Sequence, residues 1–314
     1  MSESAAERSL AVRDLAIVTS PLAAETPFRR FVSEFAESRL ALFGLAVFTV
    51  IILLAFLAPL IAPQNPYDLA VLDIMDGRLE PGSRNGDDTM TFWLGTDDQG
   101  RDMMSAIMYG LRISLTVGAG SAVLACLVGA SLGLLAAYAG GKTDSAIMRL
   151  VDLQLSFPAI LVALMILAFL GKSVMNVVIA IVVVEWAYYA RTVRGTALVE
   201  RRREYIEAAQ CLALPTRRIL FRHLLPNCLP PLIVIATMQV ARAIALEATL
   251  SFLGLGVPIT EPSLGLLIAN GYEYMLSGKY WISFYPGIAL LVTIVSINLV
   301  GDHLRDVLNP RLKK

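Results

Sequence analysis

Six stretches of this chain carry almost no charged side chain, and that spacing constrains the fold more than any single motif. Leu40–Pro63 runs 24 positions without a charge, Ile113–Gly141 runs 29, Leu153–Gly171 runs 19 and Tyr280–Gly301 runs 22. Ser173–Ala190 is interrupted only by Glu185, and a further run from about Cys228 to Phe252 only by Arg242 and Glu247. About 20 apolar residues in a helix cross a hydrocarbon core of roughly 30 Å. The sequence therefore predicts an all-α membrane protein with six transmembrane helices. Charged residues make up only 17% of the chain, against about a quarter in soluble domains. They are gathered in blocks between the runs.

Those blocks set an orientation. Gln64–Leu111 holds nine acidic residues and three Arg, whereas Arg29, Arg30 and Arg39 precede the first run and Arg311, Lys313 and Lys314 close the chain. Positive residues stay on the cytosolic side, so both termini are expected in the cytosol. The resulting plan has a cytosolic N-terminal segment (1–39), a first span (40–63) and an extracytoplasmic loop between helices 1 and 2 (64–111). A five-helix membrane domain (112–306), containing a cytosolic basic loop (191–227), and a cytosolic tail (307–314) complete it. Residues 1–25 carry no strong pattern. Phe28, Phe31, Val32 and Phe35 then fall at helical spacing. They fit either an amphipathic surface helix or an extension of the first span.

Chemical motifs are sparse. Ala136–Thr143 reads AAYAGGKT, one letter from a phosphate-binding loop, but it follows a membrane helix rather than a strand. Gly140-Gly141 is expected to make a tight turn. LGTDDQGRD (Leu94–Asp102) is rich in carboxylates yet lacks the register of a calcium loop, which leaves a solvated acidic loop. His223 and His303 belong to no catalytic set, and Cys126, Cys211 and Cys228 have no metal-ligand or disulfide pattern. An enzyme is disfavoured. The zero net charge offers nothing to nucleic acid.

Charges inside the spans are informative because each costs about 3 kcal/mol at a helix centre. Glu185 stands six positions before Arg191 and is expected near the cytosolic interface. Arg242 and Glu247 are five apart, a poor spacing for a same-face pair. Cavity-lining, inter-subunit and structural pairing roles all stay open for them. After Glu247 comes ATLSFLGLGVPITEPSLGLLIANG, where Gly254, Gly256, Pro258 and Pro262 must break the helix. Broken backbone at membrane depth is tolerated only inside protein or along a watery cavity. Ser251, Phe252, Gly254 and Gly256, with Glu185, Arg242 and Glu247, are the candidate residues of a pathway or gate.

The basic block RTVRGTALVERRREYIEAAQCLALPTRRILFRHLLPN (191–227) has eight Arg against three Glu, so hydrocarbon excludes it. It patterns as two short helices broken at Leu214-Pro215 and ended by Pro226. Tyr205, Ala208, Ala209 and Leu212 are placed on one face, as a small-residue seam that could seat in a groove of another protein.

Here the sequence resembles a family. Glu207–Ala209, Leu225-Pro226 and their spacing look like the EAA coupling loop of ABC-importer permeases. Leu94–Leu115, Arg191–Gly195, Arg222–Asn227, Leu246–Gly256 and Gly301–Lys313 look like the C-type subunits of dipeptide, oligopeptide and nickel permeases. The resemblance implies the type I ABC importer fold and a place in a bacterial inner membrane, among lipid. It implies pairing with a B-type permease, one or two cytosolic ATPases and an extracytoplasmic binding protein that delivers solute. ATP and Mg would be used by the ATPases, with no cofactor bound here. Arg203, Tyr205, Glu207, Ala208, Ala209, Leu212, Ala213, Pro215 and Arg218 would form the ATPase-coupling loop. Ala213 departs from the family, which has Gly there. The implied cargo is di- or oligopeptide, with nickel, glutathione or another small solute as alternatives. An ion-coupled secondary carrier is the reading from a different class.

Overall fold

In the computed structural model, residues 27–68 and 72–308 are described; residues 1–26, 69–71 and 309–314, with the terminal parts of the two cytosolic segments inferred above, lie outside that description. Helix α1 (Pro27–Ala36) stops at a break before α2 (Arg39–Phe56), whose first turn is capped by Ser38 Oγ accepting from Ala41 N at 3.2 Å. The phenylalanine stripe of α1 is thus a separate helix rather than an extension of α2. Phe35 packs on His303 with ring centroids 5.1 Å apart, which gives that histidine a packing role.

A single helical turn (Ala58–Ile61) leads into a loop with the two-residue antiparallel pair β1 (Ser83–Arg84) and β2 (Thr91–Phe92). Helix α3 (Met103–Ala139) follows, then α4 (Gly141–Ser156), α5 (Ala159–Leu170) and α6 (Val174–Glu200). Helix α7 (Glu204–Cys211) is short, and α8 (Thr216–Phe252) is long, with a π turn at Ile219–Leu224. Helix α9 (Leu264–Tyr272) and α10 (Trp281–Leu308) complete the chain.

Among the described residues, five helices are long and apolar enough to cross a membrane, and a sixth crossing exists if the bent pair α4–α5 counts as one. The pair turns by 92° at Phe157-Pro158. The third apolar run therefore does not form a straight span from Leu153. Only Ala159–Leu170 stands as its membrane arm, because Pro158 has no N–H to continue the helix and biases Phe157 to extended backbone. Gly140 and Gly141 do form the tight turn before α4, at φ 64° and 52°.

The bundle is organised around α3 and α6. At Gly129 and Gly133 the two backbones touch: an added Cβ would lie 2.3 Å from Trp186 O and 2.5 Å from Ala190 O. Helix α8 packs on both, burying Ile244, Ala243 and Leu250. Many apolar side chains of α2, α3 and α5, such as Phe43, Leu127 and Phe169, remain exposed, as a hydrocarbon-facing surface requires.

The carboxylate-rich LGTDDQGRD segment is not the solvated loop its composition predicts. Arg101 and Asp97 are 1% and 0% exposed and joined at 2.6 Å from Nε to Oδ2. Asp97 Oδ1 also accepts from the amides of Gln99 and Arg101, each at 2.9 Å. Asp102 caps α3, accepting from Ser105 N and Oγ at 2.8 and 2.6 Å. Burial pushes the Asp102 carboxyl above the usual carboxylate range, against the pull of those Ser105 bonds. These acids serve the loop's own architecture, with Trp281 Nε1 donating to Thr96 O at 3.2 Å.

Candidate functional site

The basic block is not one loop between spans. Residues 191–200 continue α6, and the helix after Pro215 runs through Pro226, Pro230 and Pro231 to Phe252. Pro226 does not end it, contrary to the sequence pattern. A π turn immediately before the prolines shifts the hydrogen-bond register, and Asn227 Nδ2 donates to His223 O at 2.7 Å. What protrudes is α7 and the turn after it.

Arginines tie this protrusion to the bundle. Arg194 holds Asp144 of α4 through two bonds of 2.5 and 2.6 Å, and Arg191 pairs with Asp152. Arg201 donates to Ala137 O at 2.9 Å and lies over the Tyr138 ring. Tyr205 OH donates to Glu200 Oε2 at 2.8 Å. Partial burial first, and then that acceptor, push its phenol up to about 12.

Helix α7 has two faces. Ile206 and Ala209 are buried against Ile219, Leu224 and Cys228, and burying a side chain the size of Ile206 contributes about 1.5–3 kcal/mol. Tyr205, Ala208 and Leu212 are exposed, as are Glu204, Glu207, Arg203 and Arg218. Ala209 therefore belongs to the inner face, not to the outward seam expected of it. Ile206, which sequence reasoning passed over, is its partner at i−3 and is found by asking which α7 residues are aliphatic among charges.

The turn after α7 is a Schellman motif. Leu214 N donates to Ala209 O at 3.2 Å and Ala213 N to Gln210 O at 2.9 Å. Ala213 takes the left-handed conformation, φ 52°, which is ordinarily given to glycine. The turn thus survives the Gly-to-Ala departure noted in the sequence. Pro215 then starts the next helix as its N-cap.

The candidate gate residues divide into three places. Glu185 lies near the middle of α6, whose last ten residues belong to the basic block, and lines a cavity of ≈ 380 Å³ with Tyr188, Arg242 and Thr249. Arg242 sits 4.5 Å over the Tyr188 ring and donates to Tyr188 OH at 3.1 Å. Glu247 is not part of that cavity's lining. It is fully enclosed, accepting from Ser114 Oγ and Ser251 Oγ, each at 2.8 Å. That knot pins the end of α8 to α3 and gives Glu247 partners different from those of Arg242. Ser251, Phe252 and Gly254 border a second cavity of ≈ 370 Å³ together with Asp98, Lys172 and Glu273. Gly256 is packed so tightly that a Cβ would come 2.1 Å from Ser251 Oγ. Helix α8 thus breaks at Leu253, and the nine-residue α9 returns as a half-helix capped by Ser263 Oγ.

Comparison with known proteins places this arrangement. Residues 129–314 match the family described as binding-protein-dependent transport system inner membrane component, and residues 26–81 match the N-terminal TM domain of oligopeptide transport permease C. The di/tripeptide transport system permease protein DppC of Pseudomonas aeruginosa is 38% identical over 92% of this chain and 93% of its own. The glutathione transport system permease protein GsiD of Pectobacterium atrosepticum is 35% identical over 92% of each. Among solved structures, an inward-facing MetNI methionine ABC transporter aligns with a TM-score of 0.54, covering 66% of this chain and 98% of that one at 21% identity. That likeness concerns the fold alone.

Proposed function

This chain belongs to the binding-protein-dependent transport system inner membrane components, and on that premise we propose that it forms half of the pathway of an ATP-driven importer for di- and oligopeptides. It is a pore-forming subunit, and ATP hydrolysis resides in separate subunits of such systems. Its proposed companions are a B-type permease related to it, cytosolic ATPases and an extracytoplasmic binding protein. The end bearing α7 faces the cytosol and the β1–β2 loop faces outward, as the charge distribution favours. Peptide as cargo rests on relatives named for peptide transport, with DppC covered nearly end to end.

The observation that carries this reading is the two-faced α7. Its inner face is fixed by Ile206 and Ala209, while Tyr205, Ala208 and Leu212 stand exposed beside charged Glu207 and Arg218. Such a rigidly mounted, partly apolar protrusion fits a groove on an ATPase and transmits its closure to α6 and α8 as a rigid body. In the reconstituted complex, Glu207→Ala and Ala208→Glu should leave assembly with the partner permease intact and uncouple ATP hydrolysis from peptide uptake. Both side chains are exposed here, so neither change disturbs the fold. Normal uptake by both variants would defeat the assignment.

A second reading, the same subunit serving glutathione, draws on the GsiD relative. Uptake of dialanine and of glutathione, measured side by side, separates the two. An ion-coupled carrier would transport in liposomes without any ATPase.

A further inference from the structure

The Glu185 carboxyl and the Arg242 guanidinium line one cavity and form no ion pair with each other among the described residues. Each is costly at membrane depth, and direct pairing would be the simplest relief. Instead, Glu185 is only 3% exposed and its Oε2 has no hydrogen-bond partner among the described residues. Arg242 is held away from it, its Nη2 on Tyr188 OH at 3.1 Å, its Nη1 towards Gln239 Oε1 at 3.4 Å and its guanidinium over the Tyr188 ring. Two of its five N–H donors are thereby engaged, and the rest stay available.

From this geometry we infer that the cavity is a transient binding site for a zwitterion, a small peptide whose ammonium meets Glu185 and whose carboxylate meets Arg242. The inference rests on the importer reading above. A simple anion would face the Glu185 carboxylate, and a simple cation would face the guanidinium; a molecule bearing both charges satisfies each. The volume of ≈ 380 Å³ sits at the lower end of ligand pockets, about 300–1,000 Å³. The remaining wall, including Ala159, Ala245 and Leu246, is small and apolar. It can therefore accept varied side chains while the two charges hold the main-chain termini. An open cavity with only two charged anchors also favours release, which a pathway site needs.

The test uses the assembled complex, with its partner permease, ATPases and binding protein, in proteoliposomes with dialanine as the probe. Glu185→Gln should reduce dialanine uptake about tenfold or more, the loss of one charge-assisted hydrogen bond, while Glu185→Asp retains more uptake than Gln. Thermal stability of the Glu185→Gln complex should be unchanged or higher, because a neutral amide is cheaper to bury than an unpaired charge. Thr249→Trp, which narrows the cavity and keeps both charges, should also lower uptake in an assembled complex. Wild-type uptake by Glu185→Gln or by Thr249→Trp overturns the proposal, as does loss of assembly in both Glu185→Gln and Glu185→Asp. Absence of dialanine uptake by the wild-type complex would instead overturn the peptide assignment on which it rests.

Discussion

Replacing Ala213 by glycine should stabilise the protruding turn, against the usual direction for a change to glycine. Ala213 holds φ 52° at the C′ position of the Schellman motif. A non-glycine residue in that left-handed region costs about 1–2 kcal/mol. Glycine returns part of that gain, because its freer unfolded chain costs about 0.4–1 kcal/mol. The Ala213 side chain is exposed, so no packing is lost. The balance is about 0.5–1 kcal/mol in favour of glycine, a two- to fivefold change in a local opening equilibrium. Amide hydrogen exchange reads it directly. Leu214 N and Leu212 N, which donate to Ala209 O and Ala208 O, should exchange more slowly in Ala213→Gly by about that factor. Ala213→Val should move the same amides the other way, since a β-branched residue suffers most at positive φ. Equal or faster exchange at Leu214 in Ala213→Gly would refute the argument, and would mean that the left-handed turn is not what holds α7 to α8.

Glu247→Ala removes the acceptor shared by Ser114 and Ser251. Stranding buried hydroxyls and opening a cavity should cost about 3 kcal/mol or more, seen as a lower melting temperature in detergent, with Glu247→Gln intermediate. Burial raises the carboxyl pKa of Asp102 and also of Asp98, where Asp97 nearby adds to the effect. A carboxyl raised in the fold contributes stability that is complete below its unfolded pKa and is lost as pH rises through the folded value. The loop before α3 should therefore resist limited proteolysis better as pH falls towards the ordinary carboxylate range, and Asp98→Asn with Asp102→Asn should flatten that dependence.

Much of the fold was legible in the chain because hydrocarbon acts as a strict filter. A run such as Leu40–Pro63 has one physical solution, a helix with its backbone groups bonded internally. The glycines and prolines from Gly254 to Pro262 likewise had to break the helix, and it ends at Phe252. The acidic loop before α3 was misjudged for an equally physical reason. Composition counts Asp97 and Arg101 as solvated charges, and only the folded loop reveals that they neutralise each other in its interior.

By itself the sequence determined the helical class, the gathering of charge into blocks between the apolar runs, and the pairing of Glu207–Ala209 with a proline-ended turn. These depend on local propensity and on partition between water and lipid, which act residue by residue. Tertiary structure alone decided that Ala209 faces inward beside Ile206, and that Pro226 lies within a helix. It also decided that Ala213 bears a glycine's conformation, that Glu247 is tied to Ser114, and that Glu185 and Arg242 share a cavity without forming an ion pair among the described residues. Each of these joins residues far apart in the chain or weighs local strain against the surrounding contacts. Neither is encoded by spacing, because both arise only when α3, α6 and α8 close on one another.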